Sequence, residues 1–181
     1  MSILVTYASK HGSTQAIAER IAATLRQLGH AVIVQPVHAG ESPTAYEAVI
    51  VGSAVYFGSW LKDATEFVHR HRDELAARPV WLFSSGPLGD TPAVDPKEIA
   101  GLQMAIHPCG HHTFVGSLDQ RDLSFTGRVI VKAVKAPSGD FRDWDDIDMW
   151  TRGIALALSS TVTPPFSAGD TPPVVTHPSH P

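Results

Sequence analysis

The chain has 181 residues, of which 43% are apolar and 18% charged, so it is long and apolar enough to bury a core as one globular domain. Its net charge of -4 argues against nucleic acid as the main partner, and its single cysteine, Cys109, excludes an internal disulfide framework. The absence of any visible signal peptide or membrane-length apolar run favours a cytoplasmic protein and leaves peripheral contact with a membrane surface open.

The first part of the chain alternates between strand and helix patterns. Residues 3–7 form an apolar and β-branched run that predicts a strand, and residues 31–34 predict a second one. Between them, Gly29 is a suitable stop for a helix. One face of that helix carries four apolar side chains at helical spacing: Ile17, Ile21, Leu25 and Leu28. The stretch 37–45, with its Gly, Ser and Pro residues, predicts a loop.

The alternation continues through the middle of the chain. Strands are predicted from 48–51 onwards, at 79–84 and at 113–115, with a helix over 96–106. Another helix is marked by Leu61, Ala64, Val68 and Leu75. The runs AVIV at 31–34 and 48–51 are apolar throughout, as expected when helices cover both faces of a parallel sheet.

The C-terminal part divides into a helix and a tail. Asp143 suits the N-cap of a last helix, whose apolar residues are Trp144, Ile147, Ile154 and Leu158. The stretch 161–181 contains six prolines and little periodicity. We therefore expect one domain over 1–160 and a Pro-rich, mostly disordered tail over 161–181.

The stretch YASKHGST, residues 7–14, connects the first strand to the first helix. Its backbone N–H groups and those of the first helical turn form a natural anion site, and Gly12 allows close approach of a ligand. Hydroxyl donors come from Ser9, Ser13 and Thr14. The turn suits a phosphate monoester; the alternative is that Ser13 or Thr14 only caps the helix.

Ligands of an open parallel sheet bind beyond the carboxyl ends of its strands. The segments that follow strands one, three and four are ASKHGST, GSAVYFGSW and SSGPLGD, all rich in Gly and Ser. The second also carries Tyr56, Phe57 and Trp60. Together these loops suit a flat ring joined to a phosphate. Alternatively, Phe57 and Trp60 could pack into the core or cover the next helix, and the third loop could be an ordinary tight turn.

The stretch YASKHGSTQAIAERI resembles the flavodoxin signature. The matching residues are Tyr7, Ser9, Gly12, Thr14, Ala18 and Ile21, whereas Thr6 stands where a large apolar residue is usual. The resemblance covers roughly residues 2–160 and implies a flavodoxin-like three-layer α/β sandwich with a five-stranded parallel sheet in the order 2-1-3-4-5. It also implies FMN as the cofactor.

Site residues follow from the same resemblance. The FMN phosphate would be held by Ser9, Lys10, His11, Gly12, Ser13 and Thr14, with Lys10 free to point to solvent. The isoalloxazine would be bordered by Ala54, Val55, Tyr56, Phe57 and Gly58, with Tyr56 or Phe57 in contact with the ring. A second ring loop would consist of Ser85, Gly86, Pro87, Leu88 and Gly89. No side chain is expected to act as a catalytic acid or base, because the flavin itself accepts hydride.

Three further stretches narrow the resemblance: the loop GSAVYFGSWLKDATEFVHRH, the extra segment from Val115 to Trp144, and the last helix. Together they resemble the flavodoxin-type, menaquinone-dependent protoporphyrinogen IX dehydrogenases of haem biosynthesis, although Tyr56 stands where the best-known members carry Arg. The resemblance implies a reduced small-molecule substrate such as a porphyrinogen, and a quinone acceptor. An electron carrier, an FMN-dependent quinone or NAD(P)H-linked reductase, and a flavin-free binding module remain alternatives.

Two other stretches contain residue types that could form a metal site or a contact surface. HPCGHH, residues 107–112, invites a metal interpretation, but no second ligand cluster accompanies it, so structural or surface histidines and a buried Cys109 are expected. RVIVKAVK, residues 128–135, could be a short helix that touches a membrane or a substrate, or an ordinary amphipathic helix over the sheet. The sequence leaves the oligomeric state open.

Overall fold

The structure is a computed structural model that describes residues 1–40, 42–86, 95–118 and 139–160. Its main sheet consists of β1 (Ser2–Ala8), β2 (Ala31–Pro36), β3 (Ala48–Tyr56), β4 (Ser59–Trp60), β5 (Val80–Ser85) and β6 (Gly110–Phe114). The parallel strands run in the order β2-β1-β3-β5-β6, and the short β4 pairs antiparallel with β3. With β4 set aside, this is the predicted order 2-1-3-4-5.

The helices cover both faces of this sheet, which confirms the predicted sandwich. They are α1 (Ser13–Gln27), α2 (Lys62–Arg70), α3 (Arg72–Ala76), α4 (Ile99–Ile106) and α5 (Trp144–Ser160), with a short 3-10 helix at Pro43–Ala45. A two-stranded antiparallel sheet is formed by β7 (Ser117–Leu118) and β8 (Gly139–Asp140). None of the helices within the described ranges is long and apolar enough to cross a membrane.

Two hydrophobic cores lie on opposite faces of the sheet, because successive strand residues point to opposite sides. One core joins α1 and α5 to the sheet residues Ile3, Val5, Ile50 and Phe83. The other joins α2, α3 and α4 to Leu4, Val49, Val51 and Leu82. Both cores hold the strands rigidly, so the loops at their carboxyl ends start from fixed positions.

Two apolar residues predicted to be buried are exposed. Ile33 is 47% exposed because β2 is an edge strand and one of its faces lacks a covering helix. Leu28 is 41% exposed because α1 ends at Gln27 and Leu28 forms its C-cap, beyond the buried face.

The predicted helices differ from the observed ones in two places. The helix expected over 61–75 is interrupted at His71, where α2 ends and α3 begins. The helix expected over 96–106 begins at Ile99, after a turn at residues 97 and 98. By contrast, the predicted cap of α5 is confirmed: a carboxylate oxygen of Asp143 accepts the N–H groups of Asp145 and Asp146, each at 3.0 Å.

Candidate functional site

The turn between β1 and α1 is built around Gly12, which is the N-cap of the helix in a left-handed conformation with φ +80°. The Ser9 hydroxyl accepts the Gly12 N–H at 3.1 Å, so the turn is closed by its own residues. No side chain caps α1, and the alternative that Ser13 or Thr14 serves as the cap is therefore wrong. The helix begins with N–H groups that have no acceptor within the helix, directed at this turn.

The hydroxyl of Thr14 lies in an unusual environment. Thr14 is fully buried, yet among the described residues its Oγ1 is one of two buried side-chain oxygens without a hydrogen-bond partner; the other belongs to Thr6. A buried hydroxyl without a partner costs free energy. A hydroxyl at the N-terminus of a helix can donate to an anion that binds there.

The segment after β3 forms a tight hairpin with β4. Val55 pairs with Trp60 and Tyr56 with Ser59, which leaves Phe57 and Gly58 as a two-residue turn. Both have positive φ, +50° and +72°, as a type I′ turn requires. Phe57 is 86% exposed, so the alternative that it packs into the core is wrong.

Trp60, at the other end of the hairpin, packs into the core as that alternative proposed. It is 5% exposed, and its indole N–H donates to the Ser84 hydroxyl at 2.8 Å. Its backbone N–H donates to the Glu98 carboxylate at 3.2 Å, while the Gly58 carbonyl accepts the Lys97 N–H at 3.2 Å. The hairpin is thus fastened to the segment that leads into α4.

The first two loops touch each other through Tyr56. The Lys10 ammonium lies 5.3 Å from the centre of the Tyr56 ring, within cation–π range, and the His11 ring centre lies 6.3 Å from it. Lys10 is exposed, as predicted. Partial burial raises the pKa of Tyr56, so its phenol is neutral near pH 7.

The end of β5 joins the same site. The Ser85 and Ser13 hydroxyls lie 3.4 Å apart, and the Gly86 N–H donates to the Phe114 carbonyl at 2.9 Å. The described residues of the third loop therefore lie against the first loop, and the three loops meet as predicted. The remaining predicted residues of that loop, Pro87, Leu88 and Gly89, lie outside the described residues.

Sequence reasoning missed Gly116, which follows β6. A Cβ on Gly116 would lie 3.5 Å from the Ser85 hydroxyl and the Gly86 nitrogen, and 3.6 Å from the Ser13 hydroxyl. A side chain at this position would lie in van der Waals contact with the first and third loops. The available signal was a glycine directly after the fifth strand, where a fourth loop reaches the same edge of the sheet.

The stretch 107–112 has structural contacts. His111 Nε2 lies 2.8 Å from the Ser84 hydroxyl, and His112 Nε2 lies 2.9 Å from the Asp146 carboxylate. Cys109 is exposed, so the prediction that it is buried is wrong; its backbone N–H bonds to the Val80 carbonyl, and its side chain lies outside both cores. In the part of the chain that the structure describes, no cluster of three or more His, Cys, Asp or Glu residues could hold a metal ion.

The geometry fits a phosphate joined to a flat ring. The buried Thr14 hydroxyl and the N–H groups at the start of α1 are hydrogen-bond donors of the kind that a phosphate requires. Near them lie the aromatic residues Tyr56 and Phe57 of the hairpin and the glycines Gly86 and Gly116, a combination that suits a planar group. Residues 119–138, which include the stretch 128–135, lie outside the described residues, as does the predicted tail over 161–181.

Comparison with known proteins agrees with this geometry. The chain is 25% identical to the protoporphyrinogen IX dehydrogenase [quinone] of Escherichia coli K12, in an alignment that covers 86% of this chain and 95% of that protein. Among solved structures, an archaeal flavodoxin is 23% identical, with a TM-score of 0.52 and coverage of 75% of this chain and 99% of the other. Flavodoxin 2 of Bacillus cereus is 21% identical, with a TM-score of 0.58 and coverage of 87% and 99%.

A protein-family model also matches the chain. The flavodoxin domain model matches residues 4–145, which include the turn, the hairpin and the β5 loop. FMN is the cofactor of this family, and the donors and open edge described above fit it. The chain therefore belongs to the flavodoxin domain family and is a redox protein of the FMN flavoprotein type.

Proposed function

We propose that the protein is an FMN-dependent oxidoreductase of the protoporphyrinogen IX dehydrogenase type, which oxidises a porphyrinogen or a similar reduced substrate and passes the electrons to a quinone. The observation that carries the proposal is the similarity to the Escherichia coli dehydrogenase, which extends over 95% of that protein and therefore beyond the FMN-binding loops. The bound FMN supplies the redox chemistry by accepting hydride and releasing electrons to the acceptor. The chain contributes binding, orientation and exclusion of water.

The phosphate group belongs in the β1–α1 turn. Donors there come from the start of α1 and from the Thr14 hydroxyl, which gains the partner that it otherwise lacks. Gly12 keeps the backbone accessible because it adds no side chain at a left-handed position. The residues that we assign to the phosphate are Ser9, Lys10, His11, Gly12, Ser13 and Thr14.

The ring belongs between the hairpin and the loop after β5. Phe57 projects from the hairpin tip with 86% of its surface exposed, although its positive φ is unfavourable for an aromatic residue. Strain of this kind is usually retained where it serves a function. The residues that we assign to the ring are Ala54, Val55, Tyr56, Phe57 and Gly58 on one side and Ser85, Gly86, Pro87, Leu88 and Gly89 on the other.

The test has two steps. The purified protein is first examined for a flavin absorption spectrum and titrated with FMN while flavin fluorescence is followed. The FMN-loaded protein is then given protoporphyrinogen IX under anaerobic conditions with a menaquinone analogue, and the appearance of porphyrin fluorescence is recorded. FMN binding together with quinone-dependent porphyrin formation supports the proposal.

The other outcomes separate the alternatives. FMN binding without porphyrin formation overturns the dehydrogenase assignment; rapid electron exchange with a redox protein would then indicate a carrier, and turnover with NAD(P)H and a quinone would indicate a reductase. Absence of FMN binding at micromolar concentration would overturn the redox proposals altogether. FMN-free protein supplies the control for uncatalysed oxidation of the porphyrinogen.

A further inference from the structure

A chain of hydrogen bonds links the end of the hairpin to β5 and β6. It begins at the Trp60 indole N–H, passes through the Ser84 hydroxyl at 2.8 Å and reaches His111 Nε2 at a further 2.8 Å. On the other side of the imidazole, Nδ1 lies 3.3 Å from the Asp95 carboxylate. Trp60 and Ser84 are buried, and the His111 side chain is 4% exposed, whereas the Asp95 carboxylate is 66% exposed.

The direction of each bond follows from the chemistry of the groups. An indole N–H can only donate, so the Ser84 oxygen accepts from Trp60. The Asp95 carboxylate can only accept, so the proton of a neutral His111 ring sits on Nδ1, and the unprotonated Nε2 accepts the proton of the Ser84 hydroxyl. Burial lowers the pKa of His111 below its usual value of 6.5, with Asp95 opposing this effect and His112 adding to it. The imidazole is therefore neutral near pH 7.

This chain of hydrogen bonds connects the two loops that border the proposed ring site. Trp60 is the last residue of the hairpin that carries Phe57, and Asp95 lies at the end of the segment that follows Gly86. Asp95 also accepts a hydrogen bond from the Thr113 hydroxyl at 3.3 Å, so two residues of β6, His111 and Thr113, bind the same carboxylate. A single imidazole on β6 thus bonds toward both loops.

We propose that His111 is a positioning residue of the FMN site, which orients the hairpin through Ser84 and Trp60 and fixes the far end of the β5 loop through Asp95. The inference rests on the proposed placement of FMN between these loops. His111 touches no reacting atom in this arrangement. Its effect is to fix the orientation of the Ser84 hydroxyl, whose oxygen holds the Trp60 indole of the hairpin in place.

The first experiment measures FMN affinity at pH 7.5 for wild type, His111→Phe, His111→Gln and His112→Gln. His111→Phe removes the acceptor of the buried Ser84 hydroxyl and the contact with Asp95, and we expect about tenfold weaker FMN binding. His111→Gln supplies an amide oxygen near the Nε2 position and should stay within about threefold of wild type. His112 is the matched control, because it lies on the same strand with a carboxylate partner but bonds to α5 instead.

The second experiment uses the FMN-free protein and follows the Trp60 indole N–H by NMR, assigned with Trp60→Phe. Protonation of His111 reverses the bond to Ser84, so the signal should move as pH falls below 6.5 in wild type and in His112→Gln. It should not move in His111→Gln. This readout follows the hydrogen-bond chain itself, which a role limited to packing would not affect.

The outcomes are distinct. Wild-type FMN affinity in His111→Phe, or equal weakening in His112→Gln, overturns the positioning role while leaving the proposed function intact. A Trp60 signal that ignores pH in wild type overturns the hydrogen-bond chain. If wild type itself fails to bind FMN, the proposed function and this inference both fail. Circular dichroism spectra of each variant show whether it is folded before affinity is measured.

Discussion

The ring of Phe83 occupies the space in which a side chain at position 52 would lie: a Cβ built on Gly52 would overlap three of its ring carbons. The two residues are partners in adjacent parallel strands β3 and β5. Phe83 fills that space and packs on Phe114 and Trp150, with ring centres 6.0 and 6.3 Å away. The absence of a side chain on Gly52 therefore allows a large aromatic core beneath the loops of the site.

Gly52→Ala should accordingly destabilise the protein by about 1–3 kcal/mol, because the added methyl group forces the Phe83 ring out of a packed core. Urea unfolding followed by far-UV circular dichroism measures the change. In the double variant with Phe83→Leu, the alanine should cost less than it does alone, since the smaller side chain leaves room for it. Equal costs in both backgrounds would contradict the packing argument.

Thr14→Val should stabilise the FMN-free protein by about 1 kcal/mol, because it replaces a buried hydroxyl that lacks a partner with an apolar group of the same shape. The same change should weaken FMN binding about five- to tenfold if the hydroxyl serves the phosphate. Thermal unfolding and FMN titration measure the two effects.

Thr6→Val is the matched control for that variant. Its hydroxyl is also buried without a partner, but its side chain lies on the face of β1 that carries Leu4 and Ala8 in the second core. It should give a similar gain in stability with unchanged FMN affinity. A loss of FMN affinity in both variants would contradict a specific role of the Thr14 hydroxyl in phosphate binding.

Phe57→Asn should stabilise the FMN-free fold by about 1 kcal/mol, since Asn accepts the left-handed conformation that strains Phe57. Because the exposed ring is lost, FMN binding or turnover should fall several-fold. Thermal unfolding and the porphyrin assay test the two parts. Higher stability with undiminished binding and turnover would show that the ring is dispensable.

Asp148→Asn should make stability less sensitive to acid. Asp148 on α5 accepts hydrogen bonds from Arg20 and Thr24 on α1, each at 2.8 Å, and the Arg20 bond holds the pKa of the carboxyl below its usual 3.8. Such a group stabilises the fold above pH 3.8, and its contribution is lost as pH falls through the lower pKa of the folded state. The pair is partly exposed, so we expect a loss below about 1 kcal/mol near pH 7.

Urea unfolding between pH 2 and 7 checks this expectation. The curves of wild type and Asp148→Asn should converge at the acid end, where the native carboxyl is protonated. Arg20→Gln, which removes the partner charge, should behave similarly. A constant difference at all pH values would mean that Asp148 contributes through packing alone.

Local patterns in the sequence were sufficient for the order of the main strands and helices. The alternation of strand and helix follows from side-chain periodicity, and the Asp143 cap and the Gly12 turn depend on residues within three or four positions of each other. The family resemblance extended these local patterns to the FMN loops. The apolar pattern of residues 31–34 alone could not indicate that Ile33 would be exposed, because that depends on the position of the strand in the sheet.

Only the tertiary structure brought together the contacts that shape the site. Trp60, Ser84 and His111 lie far apart in the sequence, and they meet because β4 pairs with β3, β3 with β5, and β5 with β6 in one sheet. Gly116 reaches the Ser13 and Ser85 hydroxyls for the same reason. The sequence by itself determined which segments form strands, helices and turns, since those depend on neighbouring residues. The packing of the sheet decided which distant side chains share a hydrogen bond, because that depends on strand order and register.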